Sequence, residues 1–384
     1  MKINRCSYIC KITLFQPQPL TYIEPRYYMT SKILFPSKVS ALSKLNRMLK
    51  GVSYHDSKLF IIVDENTYSH CLPSLIAHVP ALEGAEFFEV PVGEEAKSIE
   101  IASQLWESLL QSGADRNSVI INLGGGCVCD LGGFVAAGFK RGIRYINIPT
   151  TLIAMADAAI GGKTAVNLDN VKNPVGFFWQ PEAVCMNPFF LDSLPSDELA
   201  NGFFEVLKTL YISDSRLLNG LLFDLKFKNG NLLDEAKELV VHCATFKSNV
   251  AEADPTEQSV RKILNFGHTF GHGIESFAIE RGMSMSHGIA VGIGMLCELY
   301  LSVKKTGLDE GVLADYRDIV RNAVDLPCYS LADTESILKY MRNDKKNHDG
   351  LILCVLLQDY ATPVIDVAIS ENEVRDALLK VSKL

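Results

Sequence analysis

The amino-acid sequence predicts an α/β domain followed by a mainly α-helical domain, and two observations carry this prediction. The first is a series of short β-branched and aromatic runs interspersed with a helix-like stretch, which is typical of a sheet with helices on its faces. The predicted strands are 58–63, 87–92, 118–123 and 144–149, and the predicted helix is 99–111. The second is a change to helical periodicity after about residue 190.

Helical patterns fill most of the second half of the chain. The predicted helices are 197–212, 234–253, 268–280, 286–306, 309–323 and 333–342, with one strand-like run at 351–357. The length of 384 residues also exceeds what one hydrophobic core usually serves. We place the boundary near Pro188–Leu191, so that 29–190 form the α/β domain and 191–384 form the helical domain.

The first 28 residues include several aromatic residues and prolines, and their apolar residues follow neither a helical nor a strand period. They lack the continuous apolar region and the small-residue cleavage site of a signal peptide. We expect residues 1–28 to be a disordered extension, or translation to begin at Met29.

The overall composition restricts the partners and the compartment. The formal net charge is -8, so a general affinity for nucleic acid or for an anionic membrane is not expected. The sequence has no apolar run of about 18 residues that could span a membrane. The ten cysteines are scattered, which favours buried free thiols in a reducing compartment over disulfides. We therefore expect a cytoplasmic protein.

A glycine-rich segment, LGGGCVCDLGGF, follows the third predicted strand and precedes a stretch compatible with a helix. Glycines there allow a diphosphate to approach the backbone, and a helix N-terminus offers unpaired N–H groups. The segment is not the G-x-G-x-x-G pattern of standard dinucleotide-binding turns. Taken alone, it predicts either a phosphate-binding turn or a tight turn without a ligand.

A second small-residue segment, 149–167, is expected to form a loop. The polar residues it carries are Thr150, Thr151, Asp157, Lys163 and Asn167. Gly161-Gly162-Lys163-Thr164 resembles the end of a P-loop, but Ala156 stands where the first glycine is required, so that interpretation fails. The cations that could instead surround phosphate and carboxylate groups are Arg141, Lys163, Lys172 and Lys208. For any one lysine, a solvated surface position is the alternative.

A candidate metal site lies in the helical half. His268, His272 and His287 fall within 20 residues, and the first two are spaced to share one helix face. Glu205 stands among apolar residues, where a carboxylate needs a cation or a metal. One glutamate and two histidines would leave zinc a coordination position for substrate. The alternatives are histidines satisfied in the core and a Glu205–Lys208 ion pair.

Together these segments resemble the 3-dehydroquinate synthase family, a branch of the sugar phosphate cyclases. The similarity runs from about residue 58 to 365. Its blocks are GEEAKS (93–98), GGGCVCDLGGF (124–134), RGIRYINIPTTL (141–152), IGGKTAVN with KN (160–173), FFEVLK (203–208), RKILNFGHTFGH (261–272), SHGIAVGIGM (286–295) and NDKKNHDG (343–350). The order and spacing of all blocks agree, which is more specific than any single motif.

The resemblance implies a Rossmann-like dinucleotide-binding domain and a mainly helical metal- and substrate-binding domain. The implied ligands of zinc or cobalt are Glu205, His268 and His287. The implied NAD contacts are Asp64, Asn66, Glu94, Lys97, Gly125, Gly126, Asp130, Thr150, Thr151, Lys163 and Lys172. The implied substrate contacts are Asp157, Lys163, Asn173, Lys208, Lys247, Arg261, Asn265 and His272. Lys346, or its neighbour Lys345, would reach the substrate phosphate, and Arg141 would reach it from the second subunit of a homodimer.

The implied activity is that of a carbon–oxygen lyase of the shikimate pathway, which leads to chorismate and the aromatic amino acids. It converts 3-deoxy-D-arabino-heptulosonate 7-phosphate to 3-dehydroquinate and phosphate. The steps are transient oxidation at C5, phosphate elimination, re-reduction, ring opening and intramolecular aldol closure. The alternatives are another sugar phosphate cyclase, a metal-dependent NAD-linked polyol dehydrogenase and a non-catalytic homologue. The many cations favour a doubly anionic substrate over a polyol.

Overall fold

A computed structural model of the chain describes residues 31–36, 40–168, 171–227, 232–342, 351–381 and 383. The predicted extension 1–28 lies outside the described residues, as does the segment 343–350 with Lys345 and Lys346. Among the helices that the structure describes, none has both the length and the apolar character needed to cross a bilayer.

The strands and helices follow one another along the chain as the fold class requires. The strands are β1 Lys32–Leu34, β2 Leu59–Asp64, β3 Glu86–Val90, β4 Val119–Gly124, β5 Arg144–Pro149, β6 Lys163–Leu168, β7 Val171–Phe178, β8 Ala183–Cys185, β9 Ile352–Asp359 and β10 Thr362–Ile369. The helices are α1 Ala41–Leu49, α2 Glu65–His70, α3 Leu72–His78, α4 Ile99–Gln111, α5 Gly126–Gly138, α6 Ser196–Ser213, α7 Ser215–Phe227, α8 Leu232–Ala253, α9 His268–Glu280, α10 His287–Lys305, α11 Glu310–Ala323, α12 Leu331–Arg342 and α13 Glu371–Lys380.

Six parallel strands form one sheet in the order β1-β8-β5-β4-β2-β3. The chain leaves β2 for β3 on one side and then returns to place β4 on the other side. In such sheets the crevice at the point of reversal lies outside the carboxyl ends of the strands. Here that crevice is bordered by Asp64, the last residue of β2, and by Gly124, the last residue of β4.

The central strands are buried on both faces, as their unbroken apolar runs predicted. Phe60 and Ile62 of β2 pack with α4 and α5 on one face, whereas Ile61 and Val63 belong to the core on the other face. This division follows from the two-residue period of a strand. The core that contains Ile61 and Val63 continues into the core of the helical half. The predicted fold class is therefore confirmed.

Helix α6 runs through the centre of the helical half and is almost entirely buried from Asn201 to Ile212. Helices α9 and α10 pack tightly because glycines line their contact. A Cβ atom at Gly294 would lie 2.0 Å from the carbonyl oxygen of Gly267, and one at Gly288 would lie 1.8 Å from that of Asn201. These glycines bring α9 and α10 close to each other and α10 close to α6, which places Glu205, His268 and His287 near one another.

The prediction that 149–167 form a loop is wrong. Ala154–Ala158 forms a π-helical turn, and Lys163–Leu168 forms strand β6, which pairs antiparallel with β7. Alanine-rich sequence is compatible with a helical turn. In β6, Thr164 and Val166 are buried whereas Lys163 is exposed, which is the alternation of a strand with one covered face.

The strand-like run at 351–357 is confirmed as β9, and it pairs antiparallel with β10, which had not been predicted. Strand β10 contains Pro363 and has irregular register at two places, so its sequence carries a weak strand signal. The helical half therefore also contains a β-hairpin.

Substituting Gly294 by alanine should lower the stability of the protein by about 3 kcal/mol, because the new methyl group would meet backbone rather than a movable side chain. The matched control is Gly220→Ala in α7, where a Cβ meets nothing within 4 Å. That change should be neutral or stabilise by up to about 1 kcal/mol. Thermal unfolding of both variants tests the packing, and equal midpoints would contradict it.

Candidate active site

Glu205 and two histidines meet where α6, α9 and α10 converge. The Oε1 atom of Glu205 lies 3.6 Å from Nε2 of His268 and 3.6 Å from Nε2 of His287. Ligand atoms about 2.0–2.1 Å from one tetrahedral zinc ion lie about 3.4 Å apart. Nε2 of each histidine therefore lies at about the distance from Oε1 of Glu205 that is expected of two ligands sharing one metal ion.

The other ring nitrogen of each histidine has a partner that fixes the ring. Nδ1 of His268 lies 3.2 Å from the carbonyl oxygen of Phe266, and Nδ1 of His287 lies 3.1 Å from Oε2 of Glu275. When Nδ1 donates to an oxygen, Nε2 keeps its lone pair for a metal. Both rings therefore direct a ligand nitrogen towards Glu205.

The carboxylate of Glu205 also fits a metal. It is 1% exposed, and its Oε1 atom is buried without a hydrogen-bond partner among the described residues. An unsatisfied buried carboxylate oxygen is costly unless a cation binds it. The three histidines His268, His272 and His287 also bring ligand atoms within 4.8 Å of one another. The structure thus offers four donors, and the assignment of His272 to phosphate rather than metal stays a prediction.

Lys208 and Lys247 surround Asp157 beside the candidate metal site. Nζ of Lys208 lies 2.6 Å from Oε2 of Glu205 and 3.4 Å from Oδ1 of Asp157, and Nζ of Lys247 lies 2.8 Å from Oδ2 of Asp157. Burial acts to lower the pKa of Lys208, but the two carboxylates outweigh it and raise the pKa above its ordinary value. Burial favours a higher pKa for Asp157, yet the two ammonium groups hold it well below its usual range. For Lys247, burial lowers the pKa below its ordinary value, although Asp157 opposes this shift. The shifts of Lys208 and Asp157 favour their charged forms.

Three further predicted substrate contacts, Lys163, Arg261 and Asn265, lie near the start of β6. Lys163 forms an ion pair with Glu257, and the Nδ2 atom of Asn265 donates to Oε1 of Glu257 at 2.5 Å. Arg261 is 1% exposed, and its two terminal nitrogens donate to the carbonyl oxygens of Pro255 and Gly161. Arg261 therefore braces the turn that presents Lys163.

The glycine segment lies at the carboxyl edge of the sheet, where β4 passes into α5. Gly125 is the residue that precedes the first turn of α5. A Cβ at Gly125 would lie 3.1 Å from Thr151 Cγ2, and one at Gly126 would lie 3.1 Å from the Cβ of Ala158. A bare backbone at the N-terminus of a 13-residue helix is the kind of place where proteins bind phosphate groups, so the predicted diphosphate site at Gly125 and Gly126 stays a prediction.

Four of the charged residues predicted to contact the dinucleotide are joined in one network through a hydrogen bond from the backbone N–H of Asn173 to the side-chain oxygen of Asn167. Lys97 is 4% exposed, and its Nζ atom lies 2.7 Å from Oδ2 of Asp130 and 2.6 Å from Oδ1 of Asn173. Glu94 accepts a hydrogen bond from Asn167 and lies 3.4 Å from Lys172. Burial favours a lower pKa for Lys97, but Asp130 and Glu94 raise it above its ordinary value.

Thr150 and Thr151, which follow β5, and Asp64, the last residue of β2, border the same crevice. Thr150 is buried, and its hydroxyl has no hydrogen-bond partner among the described residues, as expected of a group awaiting a ligand. Oγ1 of Thr151 accepts from the backbone N–H of Ala154. Asp64 caps α2 by accepting from Thr67, whereas Asn66, the second residue of α2, is exposed.

One described residue of the predicted set stands apart. Arg141 is exposed in the turn Phe139–Arg141 and has left-handed backbone, with φ of 67°. Within the described residues it forms no hydrogen bond or ion pair with the rest of the predicted site. Its reach into a neighbouring subunit stays a prediction, and Lys346 lies outside the described residues.

Two acidic residues of the site were missed in the sequence. Glu275 is 5% exposed and contacts His287 and Lys172, and Glu257 contacts Lys163 and Asn265. Burial favours a higher pKa for Glu275, but His287 and Lys172 lower it to about 2. Glu275 could have been found, since it lies seven residues after His268 on the same helix face. Glu257 lies in an irregular segment that carries no periodic signal.

A parallel sheet of the kind that binds dinucleotides, joined to a helical half with a candidate metal site and nearby buried cations, is typical of metal-dependent enzymes that use a nicotinamide cofactor. Sequence models narrow the class to one family. Residues 87–201 match the description "3-dehydroquinate synthase N-terminal", and residues 202–347 match "3-dehydroquinate synthase C-terminal". The chain therefore belongs to the 3-dehydroquinate synthase family.

Curated relatives agree with this membership. The chain is 37% identical over 337 residues to a 3-dehydroquinate synthase of Parabacteroides distasonis, covering 88% of this chain and 94% of that protein. It is 41% identical over 309 residues to that of Geobacillus kaustophilus, covering 78% and 82% of the two chains. It is 39% identical over 279 residues to that of Corynebacterium diphtheriae, covering 72% and 76%.

Solved structures of lower identity share the fold. A 2-deoxy-scyllo-inosose synthase in complex with carbaglucose-6-phosphate, NAD+ and Co2+ matches with a TM-score of 0.76 at 24% identity, covering 88% of this chain and 94% of the other. A 2-epi-5-epi-valiolone synthase of Streptomyces hygroscopicus with NAD+ and Zn2+ matches with a TM-score of 0.78 at 23% identity, covering 96% and 99%.

Replacing Lys208 by methionine should destabilise the metal-free protein by about 3 kcal/mol, because the buried Glu205 and the partly buried Asp157 lose a counter-ion. Added zinc should recover part of the loss, since the metal neutralises Glu205. Lys304→Met is the control, because the Lys304–Asp376 pair is exposed to solvent and should contribute less than about 1 kcal/mol. Thermal unfolding with and without zinc measures both. Equal effects of the two substitutions would contradict the buried charge cluster.

Proposed function

We propose that this chain catalyses the reaction of its family, the conversion of 3-deoxy-D-arabino-heptulosonate 7-phosphate to 3-dehydroquinate and phosphate, with NAD and a zinc or cobalt ion. The observation that carries the proposal is the convergence of Glu205, His268 and His287 beside a cluster of buried cations. A sugar phosphate that also carries a carboxylate presents two anionic groups, and such a cluster is suited to hold both.

The cofactors are proposed on the donor set and on the related structures. Glu205, His268 and His287 would hold the metal, and the backbone at Gly125 and Gly126 would receive the diphosphate of NAD. The inosose synthase structure contains NAD+ and Co2+, and the valiolone synthase structure contains NAD+ and Zn2+. When bound, NAD would take and return a hydride, and the metal would polarise the oxygen of the carbon being oxidised.

The residues around the metal would orient the reacting end of the substrate. Lys208 fixes Oε2 of Glu205, so that Oε1 stays directed at the metal position. The ammonium groups of Lys208 and Lys247 hold Asp157 as a carboxylate that accepts hydrogen bonds from substrate hydroxyl groups. Lys172 and Asn173 lie on β7 and would border the nicotinamide and the sugar.

The remaining cations would hold the two anionic groups. Arg261 donates to the carbonyl oxygen of Gly161, and Lys163, two residues further on, pairs with Glu257, which Asn265 also contacts. Lys247 contacts the carboxylate of Asp157. We assign Lys247 and Arg261 to the carboxylate, and His272, Asn265 and Lys346 to the phosphate. Glu257 shares Lys163 and Asn265 and would exchange these contacts when the anion binds.

The wider setting is proposed on the same basis. We propose a homodimer in which Arg141 reaches the substrate of the second subunit, a division of the chain into domains 29–190 and 191–384, and action as a carbon–oxygen lyase in the shikimate pathway. A cytoplasmic location is proposed because the buried thiols of the described cysteines are free.

The reaction itself can be measured by phosphate release. Protein supplied with NAD, zinc and the heptulosonate 7-phosphate should release one phosphate per 3-dehydroquinate formed, and a chelator should stop release. Absorbance at 340 nm should not rise, because the hydride returns to the product. No phosphate release under these conditions would contradict the proposal, and steady NADH accumulation with a polyol would indicate a dehydrogenase.

Alanine substitutions of the two histidines of α9, His268 and His272, should have different effects on metal content and activity. His268→Ala should lose bound metal and lower kcat/KM by about 10³-fold, because the metal supplies several kcal/mol of charge stabilisation. His272→Ala should keep its metal and lower kcat/KM by about 10- to 100-fold, the effect of one hydrogen bond to a charged group. Metal content by mass spectrometry accompanies each assay. Loss of metal from His272→Ala would show that His272 is a ligand and overturn the assignment.

A further inference from the structure

Glu275 connects the candidate metal site to the candidate nucleotide site. It lies on α9, and its side chain is 6% exposed. Its Oε2 atom lies 3.1 Å from Nδ1 of His287 at the start of α10, and its Oε1 atom lies 2.7 Å from Nζ of Lys172 on β7. The two oxygens of one buried carboxylate are therefore divided between the two sites.

On the metal side, the contact sets the orientation of His287. A carboxylate accepts a hydrogen bond, so Nδ1 of His287 carries the proton and Nε2 carries the lone pair. That Nε2 atom lies 3.6 Å from Oε1 of Glu205. His287 is also the more exposed of the two proposed histidine ligands, at 32% of its side chain against 11% for His268. It therefore depends more on a fixed partner than on packing.

On the nucleotide side, the contact holds a half-exposed lysine. Lys172 is 36% exposed, and a second carboxylate, that of Glu94, lies 3.4 Å from it. Of these two acids, Glu275 is the closer and the more buried. Hydrogen bonds of a buried carboxylate to a lysine are stronger than those made in water. Glu275 thus determines where the ammonium group of Lys172 lies.

We propose that Glu275 is a positioning residue that couples metal binding to NAD binding, which rests on the proposed function. A metal ion that orders His287 also orders Glu275, and Glu275 in turn holds Lys172 in the place where it meets the nucleotide. Coupling of this kind is reciprocal: if zinc strengthens NAD binding by some factor, NAD strengthens zinc binding by the same factor. The alternative is a salt bridge that only joins α9 to β7.

The test is a set of binding measurements that do not depend on activity. The dissociation constant of zinc is measured by competition with a chromophoric chelator, with and without saturating NAD, and that of NAD by calorimetry, with and without zinc. The variants are Glu275→Gln, which keeps the shape and loses the charge, and Lys172→Met, which removes the nucleotide arm alone. The control is Glu280→Gln, an exposed acid on the same helix.

Glu275→Gln should weaken zinc binding by about 10- to 100-fold, as loss of a carboxylate behind a metal-bound histidine usually does. It should also remove the mutual effect of zinc and NAD, that is, the change that each ligand makes in the dissociation constant of the other. Lys172→Met should keep zinc affinity within about threefold yet lose the mutual effect, and Glu280→Gln should match the wild type. Circular dichroism of each metal-free variant shows that the fold is intact.

Two results would overturn the inference. One is a Glu275→Gln variant that binds zinc as the wild type does and keeps the mutual effect, which would leave Glu275 as a joint between α9 and β7. The other is a mutual effect that persists in Lys172→Met, which would exclude this path. If wild-type protein bound neither zinc nor NAD, the proposed function itself would fail together with the inference.

Discussion

The carboxylate of Glu205 is held in the middle of α6 with 1% of its surface exposed. Removing a charge from water costs several kcal/mol unless partners replace the lost hydration. Lys208 does this for Oε2, whereas Oε1 faces two imidazoles. The surrounding helices can bring these groups together because glycines at the contacts of α10 allow close approach to α6 and α9. The position of the candidate metal ligands therefore depends on the close packing of α6, α9 and α10.

The sheet supplies the other side of the site. Asn122 of β4 donates to Asn147 of β5, which in turn donates to the carbonyl oxygen of Ala159 beside the turn that carries Asp157. This buried chain of amides ties Asp157 to the strands whose carboxyl ends form the nucleotide crevice. Glu275 makes a second tie, from α9 to β7. The candidate metal, nucleotide and anion sites are thus connected by elements from both halves of the chain.

Much of this architecture could be predicted from the sequence, because the informative segments are locally consistent. The run at 144–149 and the helical patterns at 99–111 and 268–280 coincide with β5, α4 and α9. The segment around Asp157 could not, because alanine and glycine tolerate both loop and turn, and tertiary contacts decide between them. Strand β10 was missed since its pairing with β9 is a tertiary feature that its own residues indicate weakly.

Some residues of the candidate site could likewise be predicted from the sequence, and others could not. Glu205 and Lys208 were predictable because a charged group in an apolar helix requires a partner, and His268 because three histidines fall within 20 residues. Glu275 obeys the same rule and was overlooked because the histidines nearby already explained the segment. Glu257 could not be found, since its contacts with Lys163 and Asn265 depend on the path of an irregular segment.

The central claim is that Glu205 shares one metal ion with His268 and His287. X-ray diffraction from crystals grown with zinc, recorded on both sides of the zinc absorption edge, tests it most directly. The account predicts an anomalous peak about 2.0–2.2 Å from Glu205 Oε1 and from Nε2 of both histidines. A peak ligated by His272 without Glu205, or zinc bound elsewhere with this cluster empty, would contradict it.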